Sequence, residues 1–279
     1  MDAWRVMTWN LWWRFGPWED RQPVILDTLR RVDADVIGLQ EVYCVTDDDG
    51  PLGGDQAARL ADDLGYHAAR SLDTDGEPQA FGNAVLSRWP ISRQRTISLP
   101  GSEGAPAVRS AVVVELAAPH GPQLVAVTHL DWQYGATSVR RRQLEAVCRE
   151  VAADMRRLGE GAPGPLLMGD LNAVPDSVEV RRLTGLDEPY VDDLVWIDTW
   201  PSVEDRPGHT WERGNPHAAD AGWPRRRLDY VFIGWPHPKP LGNPIAARLE
   251  GGVGEPSASE VGSDHWAVVV DLDGRRFEA

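Results

Sequence analysis

The sequence predicts a layered α/β fold, and three of its features make that prediction. Short apolar runs of strand character recur along the chain, interleaved with segments whose apolar residues are spaced for a helix. No Pro-, Gly- or Ser-rich tract long enough to separate two cores interrupts the 279 residues, so a single domain over residues 1–279 is expected. Carboxylates, carboxamides and imidazoles gather at the ends of the predicted strands, where layered α/β folds assemble sites from distant parts of the chain.

Residues 6–11 alternate apolar and polar and read as a first strand with Asn10 at its carboxyl end. Residues 19–32 place Val24, Ile25, Leu29 and Val32 at helical spacing behind an acidic first turn of Glu19 and Asp20. Residues 35–40 form a compact apolar strand that delivers Glu41 at its end. An acidic, turn-rich loop at 47–54 precedes a second helix at 55–64. Residues 80–91 read as a strand and turn presenting Asn83. The β-branched runs at 108–116 and 123–130, separated by Pro119 to Pro122, predict a hairpin whose second strand ends in Thr128-His129-Leu130-Asp131.

The longest helical pattern covers 137–158 and places Arg140, Arg141 and Arg142 on its solvated face. A helix at 176–183 with Asp176 as N-cap and an acidic segment of helical spacing at 187–200 come next. Strands are expected at 208–211 and at 226–233, the latter containing Asp229. The stretch 207–224 is a long polar loop, and loops of that size are more often functional or mobile than idle. A last strand at 268–272 follows Gly262-Ser263-Asp264-His265.

Between the long helix and the short one lies Leu166-Leu-Met-Gly-Asp-Leu-Asn-Ala-Val-Pro175, the stretch the site is organised around. Leu166 to Met168 read as a short buried strand, and Gly169 lets the backbone pass closely before Asp170 and Asn172. In an extended chain those two side chains share one face, a pair able to hold a water and a phosphoryl oxygen. The same four residues also suit a turn in which Asp and Asn bond their own backbone.

Composition narrows the function classes. The net charge is −15, from 43 acidic against 28 basic residues, and Lys239 is the only lysine. That balance disfavours loose binding of nucleic acid unless a local arginine cluster or a metal reverses the field, and it favours a small substrate. No apolar run approaches membrane-spanning length. Cys44 and Cys148 lack metal-ligand spacing and read as free thiols, and the opening residues lack a signal-peptide apolar core, so a cytoplasmic monomer is expected. Thirteen tryptophans are mostly core anchors, with Trp12, Trp13 or Trp18 the candidates for a ring at a pocket rim.

Carboxylates and carboxamides are hard donors, so Glu41, Asn10 and Asp264 suit Mg²⁺ or Mn²⁺ better than Zn²⁺. Asp229 and His265 suit a carboxylate–imidazole pair in which the acid fixes the tautomer and favours the protonated ring. Phosphodiester cleavage needs an aligned water and neutralised phosphoryl oxygens. Asp170 is the candidate for the water, His129 with the metal for the charge, and Asn172 for an oxygen. Asn83 and Arg109 are further substrate contacts, the arginine being equally readable as an ordinary surface residue.

The motifs Thr8-Trp9-Asn10, Leu39-Gln40-Glu41-Val42, Gly82-Asn83-Ala84-Val85-Leu86-Ser87-Arg88, Thr128-His129-Leu130, Gly169-Asp170-Leu171-Asn172, Arg227-Leu228-Asp229-Tyr230 and Gly262-Ser263-Asp264-His265 span nearly the whole chain. In this order they resemble the endonuclease/exonuclease/phosphatase superfamily. The resemblance implies a DNase I-like four-layer α/β sandwich, two packed mixed β-sheets flanked by helices. It implies Glu41 as principal metal ligand assisted by Asn10 and Asp264, Asp170 at the attacking water, Asn172 on the phosphate and Asp229 paired to His265. The proton acceptor, Asp170 or His265, stays open. His129 matches the branch with histidine at that position, which points away from abasic-site repair, whereas Gly208-His209-Thr210-Trp211 resembles a loop that repair nucleases place near DNA.

The expected activity is Mg²⁺- or Mn²⁺-dependent hydrolysis of a phosphoester, a phosphodiester above all, with a nuclease as one form of it. The alternative from another class is a binding module that keeps the fold and has lost catalysis. Its mark would be a missing ligand or dyad member, and every one is present.

Overall fold

The computed structural model describes residues 2–45, 50, 52–73, 79–102, 109–251 and 257–276. Half of the acidic loop expected at 47–54, residues 47–49 and 51, and Val108 at the start of an expected strand lie outside the described residues.

Two mixed sheets carry the fold. The first has the strand order β12-β13-β1-β2-β5-β4: β1 is Ala3–Asn10, β2 Val36–Val45, β4 His67–Asp73, β5 Gln79–Ser87, β12 Pro244–Glu250 and β13 Ala267–Asp273. The two-residue β3 (Gly54–Asp55) pairs with β2. The second sheet runs β10-β11-β9-β8-β7-β6, with β6 Ile91–Leu99, β7 Arg109–Ala118, β8 Gly121–His129, β9 Leu166–Asp170, β10 Val195–Asp198 and β11 Asp229–Trp235. Each sheet contains one parallel pair, β1 with β2 and β8 with β9, and the connecting chain includes a helix in each case. These are α1 (Trp18–Val32) and α3 (Thr137–Leu158). The remaining helices are α2 (Gln56–Leu64), α4 (Val178–Leu183) and the single turn α5 (Trp200–Val203).

The four layers follow from alternation inside strands that are apolar on both faces. In β1, Trp4 and Val6 point into the core between the sheets, whereas Met7 and Trp9 point to α1 and α2. In β9, Leu166 and Met168 face the first sheet and Leu167 faces α3. A strand covered on both sides reads as a continuous apolar run, which is why these central strands are legible in the sequence. The edge strands β4, β6, β10 and β12 are not: their half-exposed, charged sequences lack that signature.

Four expectations are corrected. Residues 187–199 form no helix, and only Trp200 of the expected stretch is helical, as the first residue of α5; the acidic part is turns, and Val195–Asp198 pairs with β11, since tertiary pairing overrides a short helical spacing. Residues 208–211 form no strand: Trp211 makes a single bridge to Arg226, and the Thr210 hydroxyl instead accepts the amides of Leu228 and Asp229. The cap of α4 is Ser177, whose hydroxyl accepts the Val180 amide, and not Asp176. Arg140 is buried rather than solvated: it pairs with Glu179 at 2.8 Å and donates to the carbonyls of Asp131 and Gln133, while Arg141 and Arg142 are exposed.

Two residues hold the backbone where the site forms. Arg21 is buried and donates to five carbonyls, those of Leu11, Trp12, Trp13, Phe15 and Gly262, tying the loop after β1 to the loop before β13. Burial lowers its pKa to about 10 despite the nearby charges of Asp264 and Glu41. Gly169 sits at φ +141, and a Cβ there would meet the Thr128 carbonyl oxygen at 1.9 Å. Gly169→Ala must therefore separate β8 from β9. It is expected to lower stability by about 3 kcal/mol or more, read as a fall in the urea midpoint.

Candidate active site

The polar ends of strands from both sheets meet at one end of the sandwich. Asn10, last in β1, donates from Nδ2 to Asp170 Oδ2 at 3.0 Å and to Glu41 Oε1 at 3.3 Å. The first of these bonds crosses from one sheet to the other. Glu41 does not end its strand, as expected from the sequence, but sits at an irregularity within β2, where the pairing with β5 shifts between Leu39 and Val42. Its backbone is left-handed at φ 54, an unfavourable conformation for a side chain of this kind and one that recurs at functional positions.

Burial raises the Glu41 pKa to about 7, and the charge of Asp264 adds to the shift. Its Oε2 is buried and meets no hydrogen-bond donor among the described residues. Asp264 is also pushed upward by burial, while the Trp211 indole reaches its Oδ2 at 3.4 Å. Two carboxylates whose pKa values burial raises, the charge of one adding to the shift of the other, with an unpartnered oxygen beside a carboxamide, are an arrangement that a hard divalent cation relieves. The donor set expected from the sequence thus fits such an ion.

The second half of the site is a relay of three groups. His265 Nδ1 lies 2.8 Å from Asp229 Oδ2, and His265 Nε2 lies 3.8 Å from Asp170 Oδ2. One ligand-type atom from each of Asp170, Asp229 and His265 falls within 4.8 Å of the others. Burial opposes a charge on the ring, but the carboxylates of Asp229, Asp264 and Asp170 outweigh it and hold the imidazole pKa well above its usual value. A ring kept protonated between carboxylates is a hydrogen-bond donor and a poor metal ligand, which separates this triad from the Glu41 group. Burial, with Asp229 close by, raises Asp170 to about 6. Ser263 joins the halves: its hydroxyl donates to the Asn10 carbonyl at 2.6 Å and accepts the His265 amide at 3.2 Å.

Asp170 and Asn172 do not share the face of an extended strand. The strand stops at Asp170, Asn172 is left-handed at φ 48, and its amide donates to Asp170 Oδ1 at 2.8 Å. The turn and the site are one object: one carboxylate oxygen closes the turn while the other faces Asn10, His129 and His265. The Asn172 carboxamide donates to the Leu130 carbonyl at 3.2 Å and lines the adjoining cavity.

His129 differs from its expected role. Its pKa is driven well below the usual value by burial, then by the charges of Arg109 and His265, so the ring is neutral and supplies no positive charge. Arg109 Nη1 stands 3.0 Å from Nδ1, which makes that nitrogen the acceptor and leaves Nε2 to carry the proton, 3.5 Å from Asp170 Oδ2. Arg109 is thus brought to the site, against the reading of an ordinary surface arginine. Asn83 is buried with its Nδ2 on the Ser110 carbonyl and its Oδ1 unpartnered among the described residues.

A cavity of about 690 Å³ opens beside His265 and Asn172 and is lined by Trp211, Trp223, Trp132 and Tyr134. Trp12, Trp13 and Trp18 are not among its walls; Trp12 packs against Phe15 and His217, and Trp18 against Tyr43. The lining Trp132, Trp211 and Trp223 stand between elements, whereas Trp4, Trp9 and Trp196 of the core stand in β1 and β10, so position outside the apolar runs is the signal that separates the two groups. A cavity of equal size beside the end of α3 and Pro236 to Pro238 contains none of the candidate residues.

The model of the Endonuclease/Exonuclease/phosphatase family matches residues 7–265 of the chain. Among solved structures, an endonuclease/exonuclease/phosphatase from Beutenbergia cavernae DSM 12333 is 28% identical, covering 98% of this chain and 72% of its own, with a TM-score of 0.70. Truncated TDP2 from Caenorhabditis elegans is 21% identical over 97% of both chains, with a TM-score of 0.72. TDP2 from D. rerio, complexed with single strand DNA product, is 16% identical over 97% of this chain and 99% of that one, with a TM-score of 0.73. The fold is the one these structures share. No curated protein matches the chain in sequence. No helix among the described residues is long and apolar enough to cross a membrane.

Proposed function

The chain belongs to the endonuclease/exonuclease/phosphatase family, and from that premise we propose that it is a divalent-metal-dependent hydrolase of phosphodiesters. The observation that carries the proposal is the buried, unpartnered Glu41 Oε2 facing a site whose other half is the Asp170–His265–Asp229 relay. An inert binding module has no need for a carboxylate held near neutrality or for a histidine kept charged.

Glu41, Asn10 and Asp264 are the residues that would hold the cation, Mg²⁺ or Mn²⁺ by the hardness of their oxygens. Bound there, it would neutralise phosphoryl charge and so admit an anion to a strongly acidic protein. Asp170, ionised above pH about 6, accepts the proton of the attacking water. Its orientation is fixed by the Asn172 amide and the Asn10 carboxamide. His265, charged and anchored by Asp229, donates to a phosphoryl oxygen as negative charge grows on it. Neutral His129 donates its Nε2 proton, and Arg109 behind it keeps that tautomer.

Hydrolysis of bis-p-nitrophenyl phosphate tests the reading. Turnover is expected with Mg²⁺ or Mn²⁺, absent with EDTA, and falling as pH drops through about 6, where Asp170 takes up its proton. A folded protein that turns over no phosphoester in any divalent metal would return the chain to the binding-module reading.

A further inference from the structure

We propose that Tyr134, Trp223 and Arg226 form a stacking subsite that makes the site selective for nucleotidyl phosphoesters, the nucleobase continuing the stack on the outward face of the ring pair. The inference rests on the hydrolase site described above but is carried by different residues. Tyr134 and Trp223 are 51% and 47% exposed, in a chain whose other tyrosines and ten of whose thirteen tryptophans are buried or half-buried. They come from loops almost ninety positions apart, yet their centroids are 4.4 Å apart with an interplanar angle of 27°. Trp132, 63% exposed, stands on the same wall.

The platform carries a cation. The Arg226 guanidinium lies 4.6 Å from the Tyr134 ring and 5.3 Å from the Trp223 ring. Its neighbours are committed elsewhere, Arg225 to Glu212 at 3.4 Å and Arg227 to Asp198 at 2.8 Å, and Arg226 makes no ion pair among the described residues. A guanidinium without a carboxylate partner, held over exposed rings in a protein of charge −15, is a place for an anion attached to a flat ring. The backbone of Arg226 is bridged to Trp211, whose indole reaches Asp264, and Asp229 follows three residues later. One segment therefore sets both the subsite and the relay, and a single cavity runs from the rings to His265 and Asn172.

An alkyl or inositol group offers no π-face to such a wall, whereas every nucleobase does, and aromatic stacking of a base typically strengthens binding by an order of magnitude or more.

Titration calorimetry in Mg²⁺ tests the subsite without requiring turnover. Thymidine 5′-monophosphate is compared with 1,2-dideoxyribose 5-phosphate, which carries a hydrogen where the base stands and keeps the closed ring. The nucleotide is expected to bind about tenfold tighter to the wild-type protein. In Tyr134→Ala/Trp223→Ala protein that ratio is expected to fall to near one, and in Tyr134→Phe protein to persist. Equal binding of the two ligands to wild type, or a ratio that survives the double substitution, overturns the proposal. A base-dependent ratio in a protein that hydrolyses nothing would leave the subsite standing and sink the hydrolase reading alone.

Discussion

Alanine at position 41 is expected to cut metal-dependent phosphodiester turnover by about a thousandfold or more, a loss of about 4 kcal/mol of transition-state stabilisation. Glu41 is the carboxylate with a buried oxygen that nothing else satisfies, so its removal takes away the strongest candidate donor for the cation. The same substitution has a second, separable signature. A carboxyl whose folded pKa is raised to about 7 from 4.5 contributes stability that is full at low pH and is lost as pH rises through 7. Metal-free wild type should therefore lose thermal stability between pH about 5 and 8, and Mg²⁺ should restore it by binding the folded state. Glu41→Ala protein should show a flatter pH profile and little response to Mg²⁺. Scanning calorimetry at several pH values, with and without the ion, measures all of this; an Mg²⁺ stabilisation that survives the substitution would remove Glu41 from the ligand set.

His265→Gln is expected to lower turnover by a factor between about 10² and 10⁴. Glutamine keeps a hydrogen-bond donor but carries no charge, so the comparison isolates what the positive ring does between Asp229 and Asp170. Alanine is the poorer choice, because it leaves Asp229, fully buried, with neither oxygen partnered, and unfolding would cloud the result. Asp229→Asn should resemble His265→Gln in effect, since it withdraws the group that holds the ring in its charged, oriented state. The double variant should fall little further than either single one, as expected of residues acting as a unit. Nearly full turnover by folded His265→Gln protein would end the assignment.

Much of this site is legible in the sequence because of where polar residues interrupt apolar runs. Asn10, His129 and Asp170 each stand at the carboxyl end of a strand covered on both faces, so the change from apolar to polar marks the boundary and the candidate together, whereas Asp229, read inside a strand from 226, opens β11. Glu41 reads in the sequence as the end of its strand but stands inside β2, because an irregularity inside a strand has no periodicity of its own. The neutral state of His129 was beyond reach: it depends first on burial and then on Arg109, twenty residues away, meeting one ring nitrogen from the neighbouring strand β7. Arg21 reads in the sequence as one more polar position of an amphipathic helix, and only the fold reveals five carbonyls around it. The platform of Tyr134 and Trp223 is illegible for the same reason, being a meeting of two loops.

Two of the bonds at the site, Asn10 to Asp170 and His265 to Asp229, each join a residue of the chain that builds one sheet to a residue of the other. The proposed cation donors Glu41 and Asn10 stand on one slab and Asp170, the proposed acceptor of the water's proton, on the opposite one, so the distance between them is set by the thickness of the filling that separates the slabs. A bulkier or smaller side chain at Val127 or Met168, deep in that filling and touching no substrate, would act like a shim and retune the catalytic spacing from a distance.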